Sequence, residues 1–470
     1  MILRGKVEVK KREKRDVPPL CADFVAFLLR EANQKAAQHT DISIFKAHFH
    51  IFRFEKKYSR PSLRYSVKMR RKIVIACDSF KGSLTAAEAV AAAALGAGRA
   101  LSASTGHRAA DVEIVGVPVA DGGEGTTRMI TDALAGRYVT VRVSGPLGRQ
   151  VEATYGIVGP EDGTMTAVIE VAAAAGLTLL APQERNPLIT TTRGVGKMLA
   201  DAYARGCRRF IVGRGGSATN DGGAGRLRAV GGRFLDCEGR DIGDGGAALA
   251  SLERIDASGA RLDVLRCPMT VLCDVRNPLT GPQGASAVFG PQKGATAADV
   301  ALLDSALTRY GRVLNAYVAE FKVMQNADGS FSPADIASMA GAGAAGGTGV
   351  ALLAFANVRL VPGVLTALQI ICFDEIVREA SLVITGEGRS DAQTLQGKAP
   401  TGVLRYAGAI PTILLSGAVS DAQALLDAGF ASVRAATPAG MPLDEAMRPE
   451  VAARNLADAA EMAGRDFFGE

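Results

Sequence analysis

At 470 residues, with 48% hydrophobic side chains, the chain is too long for one ordinary core, so two or more domains are expected. The net charge of +6 is misleading, since residues 1–68 hold 16 Lys/Arg against 7 Asp/Glu and the remainder is nearly neutral. The body therefore gives no support for a nucleic-acid partner. Seven scattered cysteines without a C-x-x-C pair argue against zinc and disulfide frameworks and indicate a reducing, cytoplasmic compartment.

The first 70 residues differ from the rest of the chain. They are basic, hold 6 of the 17 Phe, and lack the glycine-punctuated strand pattern that begins after Met69. We expect residues 1–70 to be an extension outside the fold, translated upstream of the functional start; a genuine basic tail is the alternative. The uncharged stretch 336–358 is too rich in glycine for a membrane span, so no membrane association is expected.

The first strand, KIVIA at 72–76, is followed by a loop that has the position of an anion site. Thr85 and Glu88 form a T-x-x-E capping box, which predicts a helix starting near Thr85. The loop 78–83, DSFKGS, therefore lies between a strand end and a helix start, where open α/β sheets bind anions. Lys81 is the natural phosphate cation of this loop.

A second strand at 111–119 precedes ADGGEG, with Asp121 and Glu124, and a helix from about Thr126. Two alternating strands, VTVRV and VEATYGIV, come next, then the strand AVIE at 167–170 with an Ala-rich helix. A Thr-capped helix leads into the strand RRFIV, which ends at Val212. This alternation of strands and helices predicts an α/β fold.

The stretch 213–223, GRGGSATNDGG, follows this strand. Its glycines allow positive φ and close approach of a ligand to backbone N–H groups, which form an anion-binding concavity. A carboxylate beside such a concavity requires a cation or a hydroxyl proton between itself and a phosphate. The stretch therefore suggests a place where Mg²⁺, phosphate and an alcohol meet. The alternative is a structural glycine turn.

Later loops repeat this chemistry. The strand VLCD ends at Asp274, FGPQKG contributes Lys293, and Thr296 with Asp299 predicts a long helix to about Phe321. A further helix is expected from Ser332, followed by a glycine-rich loop and a buried helix. Near the end come TGEGRSD, LQGKAP, the strand TILLSGAV and a final helix.

The motifs favour a phosphate-handling enzyme. Gly341-x-Gly343-x-x-Gly346 matches the dinucleotide fingerprint by letter, but it does not follow a predicted strand. No P-loop and no G-x-S-x-G nucleophile elbow occur. Seven glycine-rich loops instead offer carboxylates, lysines and backbone N–H groups, the inventory of phosphoryl transfer. A nucleotide-dependent kinase is the leading interpretation; a nicotinamide-dependent hydroxy-acid oxidoreductase and a non-catalytic metabolite-binding protein are alternatives.

The motifs DSFKGS, ADGGEGT, GGSATNDGG, CDV-NPL, FGPQKGA and TGEGR-D resemble, in order, the bacterial glycerate kinase family that forms 2-phosphoglycerate. The resemblance implies ATP-dependent phosphorylation of D-glycerate with Mg²⁺; a glycerate 3-kinase or another small hydroxy-acid kinase is the alternative. It also implies a two-domain α/β fold, in which a second α/β domain is inserted into a Rossmann-like three-layer domain. We expect the Rossmann-like domain at 71–150 and 366–470 and the inserted domain at 151–365.

Three residues depart from the family pattern: Arg214 replaces an apolar residue, Cys77 a Pro and Ser390 a Leu. Arg214 is the most consequential, since it could contact phosphate or disturb the glycine loop. We expect Asp78 to be the base, with Lys81 and Asp221 also catalytic, and Asp221 and Asp274 to bind the metal. The other residues expected to bind substrate or phosphate are Ser79, Ser83, Asp121, Glu124, Ser217, Thr219, Asn220, Lys293, Glu387, Arg389, Asp391 and Lys398.

Overall fold

The structure is a computed structural model. It describes residues 71–103, 112–159, 164–321, 324–325, 331–332, 335–355 and 357–468, all of which belong to one compact unit of the chain. The predicted N-terminal extension lies outside the described residues.

The first sheet has five strands, all parallel, in the order β15-β14-β13-β1-β2. Alternate residues of β1 point to opposite faces, as the period of a strand requires. Ile73 and Ile75 pack under helices α1 (Ala86–Ala103) and α15 (Pro449–Phe468). Val74 and Ala76 pack on the other face against α10 (Gly363–Ile370), α11 (Phe373–Val377) and α12 (Ala399–Ala407). Helices on both faces make this a three-layer domain. The strands are β1 Arg71–Cys77, β2 Val112–Gly116, β13 Leu382–Ser390, β14 Thr412–Val419 and β15 Ser432–Ala435.

The second sheet has six strands in the order β12-β9-β6-β5-β4-β3. Strands β3, β4 and β5 are antiparallel neighbours, whereas β5, β6, β9 and β12 run parallel. Two short antiparallel pairs, β7–β8 and β10–β11, are also present. The strands of the second sheet and of these pairs are β3 Arg137–Ser144, β4 Gln150–Val158, β5 Met165–Glu170, β6 Cys207–Gly213, β7 Arg233–Leu235, β8 Arg254–Asp256, β9 Pro268–Leu272, β10 Met324–Gln325, β11 Phe331–Ser332 and β12 Asn357–Val361.

None of the helices within the described ranges is long and apolar enough to cross a membrane. The helices are α1 Ala86–Ala103, α2 Thr126–Ala133, α3 Ala172–Ala175, α4 Arg193–Ala204, α5 Ala224–Ala229, α6 Leu262–Leu265, α7 Ala285–Phe289, α8 Ala297–Phe321, α9 Ala344–Phe355, α10 Gly363–Ile370, α11 Phe373–Val377, α12 Ala399–Ala407, α13 Ala422–Asp427, α14 Leu443–Ala446 and α15 Pro449–Phe468.

The chain order of the sheets confirms the predicted fold class. The first sheet is made from both ends of the described chain, and the second sheet lies between them in sequence. The domain boundaries stay predictions, but the sheet pairing favours one change. A boundary at residue 150 would separate β3 from β4, although these strands pair from Ser144–Gln150 to Arg137–Ile157. The second sheet therefore starts at Arg137.

Local sequence signals predicted most of the helices and strands near the positions at which the structure has them. Both predicted capping boxes are present: the Thr85 N–H donates to Glu88 Oε2 at 2.8 Å, and the Thr296 N–H donates to Asp299 Oδ2 at 2.9 Å. The helix predicted from Ser332 is wrong, because Phe331–Ser332 is a short strand and the next helix is α9. Strand β12 was not predicted.

The carboxyl ends of the two sheets meet through glycine backbone. The Gly215 N–H donates to the Gly122 carbonyl at 3.2 Å. A Cβ on Gly215 would lie 2.4 Å from the Cα of Gly123, and one on Gly213 would lie 2.8 Å from the Gly122 oxygen. Side chains at these positions would therefore force the two edges apart. The ADGGEG loop and the stretch 213–223 lie against each other only because both lack side chains here.

This contact can be tested with Gly215→Ala. We expect a loss of about 1–3 kcal/mol in the free energy of unfolding, since the added methyl group overlaps the Gly123 backbone. Gly98→Ala, in α1, is the matched control because a Cβ there meets no atom within 4 Å. In a helix that change should stabilise the protein by about 0.5–1 kcal/mol. Urea denaturation would measure both, and equal stability of the two variants would contradict the contact.

Candidate active site

Four carboxylates converge where the sheet edges meet. Asp78 follows β1, Asp121 lies in the loop after β2, Glu387 is in β13 and Asp274 follows β9. The pKa of Asp78 is raised to about 7, mainly by burial and then by repulsion from Asp121, with Glu387 adding to the effect. The Ser79 N–H, 2.6 Å from Asp78 Oδ1, and Lys81 oppose this rise. Such mutual repulsion marks a site suited to a cation or to proton transfer.

Asp274 is held at the start of α10. Its carboxylate accepts the N–H groups of Gly363 at 2.8 Å and Val364 at 3.4 Å, so it faces the positive end of the helix. Burial nevertheless raises the pKa of Asp274 to about 6, and repulsion from Asp121 contributes. Asp274 follows a strand of the second sheet and Asp121 follows a strand of the first. Their repulsion therefore indicates that carboxylates from both sheets lie close together.

Glu387 is fixed by a compact network. Its carboxylate accepts hydrogen bonds from Thr394 Oγ1 at 2.6 Å and Ser390 Oγ at 3.0 Å, and Lys398 Nζ lies 3.3 Å from it. Ser390 also shares a hydrogen bond of 2.6 Å with Ser416. The Ser at 390, a departure from the family pattern, is therefore a partner of Glu387.

The DSFKGS loop is positioned by Phe80. This buried ring lies against Gly386 and Gly417, where a Cβ would lie 3.5 and 3.6 Å from ring atoms, and the Phe80 backbone lies 3.3 Å from the position of a Cβ on Gly388. Lys81, the next residue, is exposed and lies close enough to Asp78 to lower the pKa of that carboxyl group. Glycines in TGEG thus make room for the loop that carries Asp78 and Lys81.

Asp221 is not part of this cluster. Its side chain is 1% exposed and accepts the Thr192 N–H at 2.7 Å, Thr192 Oγ1 at 2.8 Å and the N–H groups of Gly223 and Gly225 at 3.0 and 3.2 Å. Burial raises the pKa of Asp221 while these bonds oppose it. This geometry favours a structural role for Asp221, because its oxygens already hold the glycine loop, and its catalytic and metal-binding assignments stay predictions.

The other polar residues of the glycine loop are also turned inward. Ser217 and Thr219 share a hydrogen bond of 3.0 Å, and Asn220 Nδ2 donates to Ser286 Oγ at 2.9 Å. Lys293 is 2% exposed, and its Nζ donates to the Thr219 carbonyl at 2.6 Å. Burial lowers the pKa of Lys293 to about 8, against the attraction of Asp221. These side chains brace the loop, so the backbone is the part available to a ligand.

The remaining predicted residues lie at the margin. Ser83 Oγ donates to the Phe80 carbonyl at 2.9 Å, and Glu124 is exposed. Arg389 has a side chain that is 72% exposed and lies 3.9 Å from Asp391, whose carboxylate caps the turn 392–396. Ser83 and Asp391 therefore stabilise local turns, and Glu124 and Arg389 face the solvent. Ser79 differs, because its N–H donates to Asp78.

Sequence reasoning missed the function of three threonines at 190–192. Thr190 Oγ1 donates to the Ala218 carbonyl at 2.9 Å, and Thr192 binds Asp221 as described. Thr192 had been predicted to cap α4, but its hydroxyl donates to Asp221 instead. The TTT run preceding a helix is the signal that could have suggested such a capping or loop-binding role.

The carboxylates suit magnesium. Mg²⁺ prefers oxygen ligands, keeps several waters and usually takes one or two protein carboxylates. Within the described ranges no group of three or more His, Cys, Asp or Glu side chains is arranged to hold a metal. The repulsion between Asp121 and both Asp78 and Asp274 fits a set of one or two carboxylate ligands, because a cation would relieve it.

Facing edges that carry acidic loops, lysines and glycine turns are typical of a two-domain α/β kinase. The model of the glycerate kinase family matches residues 73–467. A glycerate kinase from Bacillus subtilis strain 168 is 44% identical over 84% of this chain and 100% of its own length. A glycerate 2-kinase from Escherichia coli K12 is 42% identical over 74% of this chain and 86% of its own.

The solved structures agree with the sequence matches. A crystal structure of a candidate glycerate kinase 2 from Salmonella typhimurium LT2 superposes with a TM-score of 0.68 at 40% identity, covering 85% of this chain and 98% of its own. The chain therefore belongs to the glycerate kinase family, and it is a kinase.

The raised pKa of Asp78 predicts a stability effect. An unfolded Asp has a pKa of about 3.9, so between that value and about 7 the folded protein binds more protons and its stability falls as pH rises. Asp78→Asn removes this penalty. Its melting temperature should exceed that of the wild type at pH 8, and the difference should shrink toward pH 4. The exposed Asp444, changed to Asn, is the control; equal behaviour of the two variants would contradict a buried charge at Asp78.

Asp221→Asn should act on folding. It leaves the buried Lys293 without its balancing charge and turns an amide toward backbone N–H donors, so a loss of about 3–5 kcal/mol is expected. Asp299→Asn, at an exposed capping box, is the control and should cost about 1 kcal/mol. Guanidinium denaturation measures both. Unchanged stability with abolished turnover in Asp221→Asn would contradict this structural role and support the predicted catalytic one.

Proposed function

We propose that this protein phosphorylates D-glycerate at the 2-hydroxyl with ATP, in the cleft between its two α/β domains. The observation that supports this most is the meeting of Asp78, Asp121, Glu387 and Asp274 where the carboxyl ends of both sheets face each other. Ligands of open α/β sheets bind at this end of the strands. The 2-position is favoured by the name of the Escherichia coli relative, a glycerate 2-kinase. A cytoplasmic location fits the cysteine usage.

Asp78 is the base in this proposal. Its pKa of about 7 lets it accept a proton near neutral pH, as general bases require. The substrate hydroxyl gives its proton to Asp78 Oδ2 while its oxygen bonds to the γ-phosphorus and the bond to the β-phosphate oxygen breaks. Lys81 lies exposed beside it and would contact the transferred phosphoryl group. Glu387, held by Thr394, would keep Lys398 on the same side of the cleft as Asp78, because β13 pairs with β1.

Asp121 and Asp274 would hold Mg²⁺, since they are near enough to repel each other and come from different domains. When bound, the ion would neutralise negative charge on the phosphate groups. The backbone N–H groups of the glycine stretch would face the oxygens of the substrate. The N–H of Gly216 is the candidate here, because this residue is exposed and carries no side chain, whereas the Gly215 N–H already donates to the Gly122 carbonyl.

Purified protein with D-glycerate and ATP would test the function. Phosphorus NMR should show ADP and a phosphomonoester coupled to the proton on C2 of glycerate. A signal coupled to the C3 protons would instead indicate a glycerate 3-kinase. A nicotinamide-dependent oxidoreductase would leave ATP unchanged and oxidise the hydroxy acid when NAD⁺ is added. The GAGAAG segment gives that alternative little support, since it follows turn residues and not a strand.

Lys81→Ala should lower kcat/KM at least about 100-fold, because the transferred phosphoryl group loses a cation that compensates its charge. Lys72→Ala is the matched control: Lys72 lies near the start of β1, the strand that precedes the loop of Lys81, and its Nζ donates to the Arg378 carbonyl at 3.3 Å. It should keep near-normal turnover. Melting temperatures would show that both variants fold, and near-normal activity of Lys81→Ala would reject the role given to this lysine.

A further inference from the structure

Two arginines are buried beside the glycine loop. Arg214, directly after β6, is 4% exposed, and Arg226, in α5, is 3% exposed. Each guanidinium carries a full positive charge, and a buried charge is normally paired with a carboxylate. Neither arginine forms a salt bridge within the part of the chain that the structure describes.

The hydrogen bonds of these arginines are also incomplete. Arg214 Nη1 and Nη2 donate to one acceptor, the Gly341 carbonyl, at 3.3 and 3.4 Å, and its guanidinium also contacts the Cys273 thiol. Arg214 Nε, Arg226 Nη1 and the hydroxyl of Tyr310 are buried and have no hydrogen-bond partner among the described residues. Three donors left unpaired in one region cost free energy unless an acceptor binds them.

These donors surround the helical turn that begins at Thr348, after the left-handed residues 345–347 that interrupt α9 near its start. Arg214 Nη1 lies 2.5 Å from the position of a Cβ on Gly349. A Cβ on Gly223 would lie 3.6 Å from Arg226 Nη2 and 3.3 Å from the Cα of Thr348. The ring of Tyr310 lies against Gly222 in the same way. Both guanidinium groups therefore flank the positive end of a helix, where a cation is unfavourable.

The local charge is not balanced by protein groups. Burial above all, with repulsion from Arg214 also acting, lowers the pKa of Arg226 to about 10, so it stays charged at neutral pH. Asp221 attracts Arg226, but the same carboxylate also faces Lys293 and accepts the hydrogen bonds of Thr192, Gly223 and Gly225. One carboxylate thus serves two buried cations, Arg226 and Lys293.

We propose that a small inorganic anion of the halide class, such as chloride, binds between Arg214 and Arg226, with the Tyr310 hydroxyl as a further donor. Close packing against Gly223 and Gly349 favours a monatomic ion over a larger ligand. Since Arg214 belongs to the stretch 213–223, the bound ion would hold the loop that contacts Gly122 and Gly123. This site is separate from the proposed kinase chemistry, and it needs no substrate.

Melting temperatures of the full chain test the site. Sodium chloride is exchanged for sodium gluconate at constant ionic strength, because gluconate is too large for the site. The wild type should show a rise of at least about 2 °C that grows with the logarithm of the chloride concentration, as ligand binding to the folded state requires. Arg226→Met should lose this response.

Arg228→Met is the matched control on the same helix, because Arg228 has its partners: Nη1 donates to the Gly243 carbonyl at 2.7 Å and lies 3.1 Å from Asp244. It should melt lower but keep the chloride response. A wild type indifferent to chloride, or equal responses of the wild type and Arg226→Met, would overturn the proposal. As a second measurement, crystals grown in bromide should give an anomalous peak between the two guanidinium groups, and its absence there would also reject the site.

Discussion

The close approach of two glycine backbones is the constraint on which the site depends. The Gly215 N–H reaches the Gly122 carbonyl because neither loop has side chains at the point of contact. This approach brings the carboxyl ends of two separate sheets face to face. Asp121 of one domain then lies near Asp274 of the other, which neither domain could arrange alone. The fold thus brings two acidic, glycine-rich sheet edges together at one site.

Buried charge serves two different purposes in this structure. Around Asp221 it is largely compensated, since hydrogen bonds and Lys293 satisfy the carboxylate and hold the loop. Asp78 and Asp274 are instead repelled by Asp121, and burial together with this repulsion raises the pKa of both carboxyl groups. Groups kept in such an unfavourable state reduce stability and are characteristic of sites that bind cations or move protons.

Local patterns predicted the elements well where the signal was contained in a few residues. The capping boxes at Thr85 and Thr296 are both formed, because their partners lie three residues away. The strand TILLSGAV matches β14 from Thr412 to Val419. The helix predicted from Ser332 failed, since a Ser-Pro pair alone does not decide whether the following residues find a helical packing surface. The structural role of Asp221 could not be predicted, because its partners, Thr192 above all, lie far away in sequence.

The sequence by itself determined the fold class, the order of the glycine loops and the family, because composition, strand–helix alternation and motif spacing are properties of the chain alone. The tertiary structure decided which acidic residues lie close together, such as Asp78 and Asp121, and which are buried among hydrogen-bond donors, such as Asp221. Asp78 and Glu387 meet because β1 pairs with β13 across most of the chain, and such long-range pairing leaves no trace in local patterns. The same holds for Arg214 and Arg226, whose burial without a carboxylate partner is visible only once the loops are folded together.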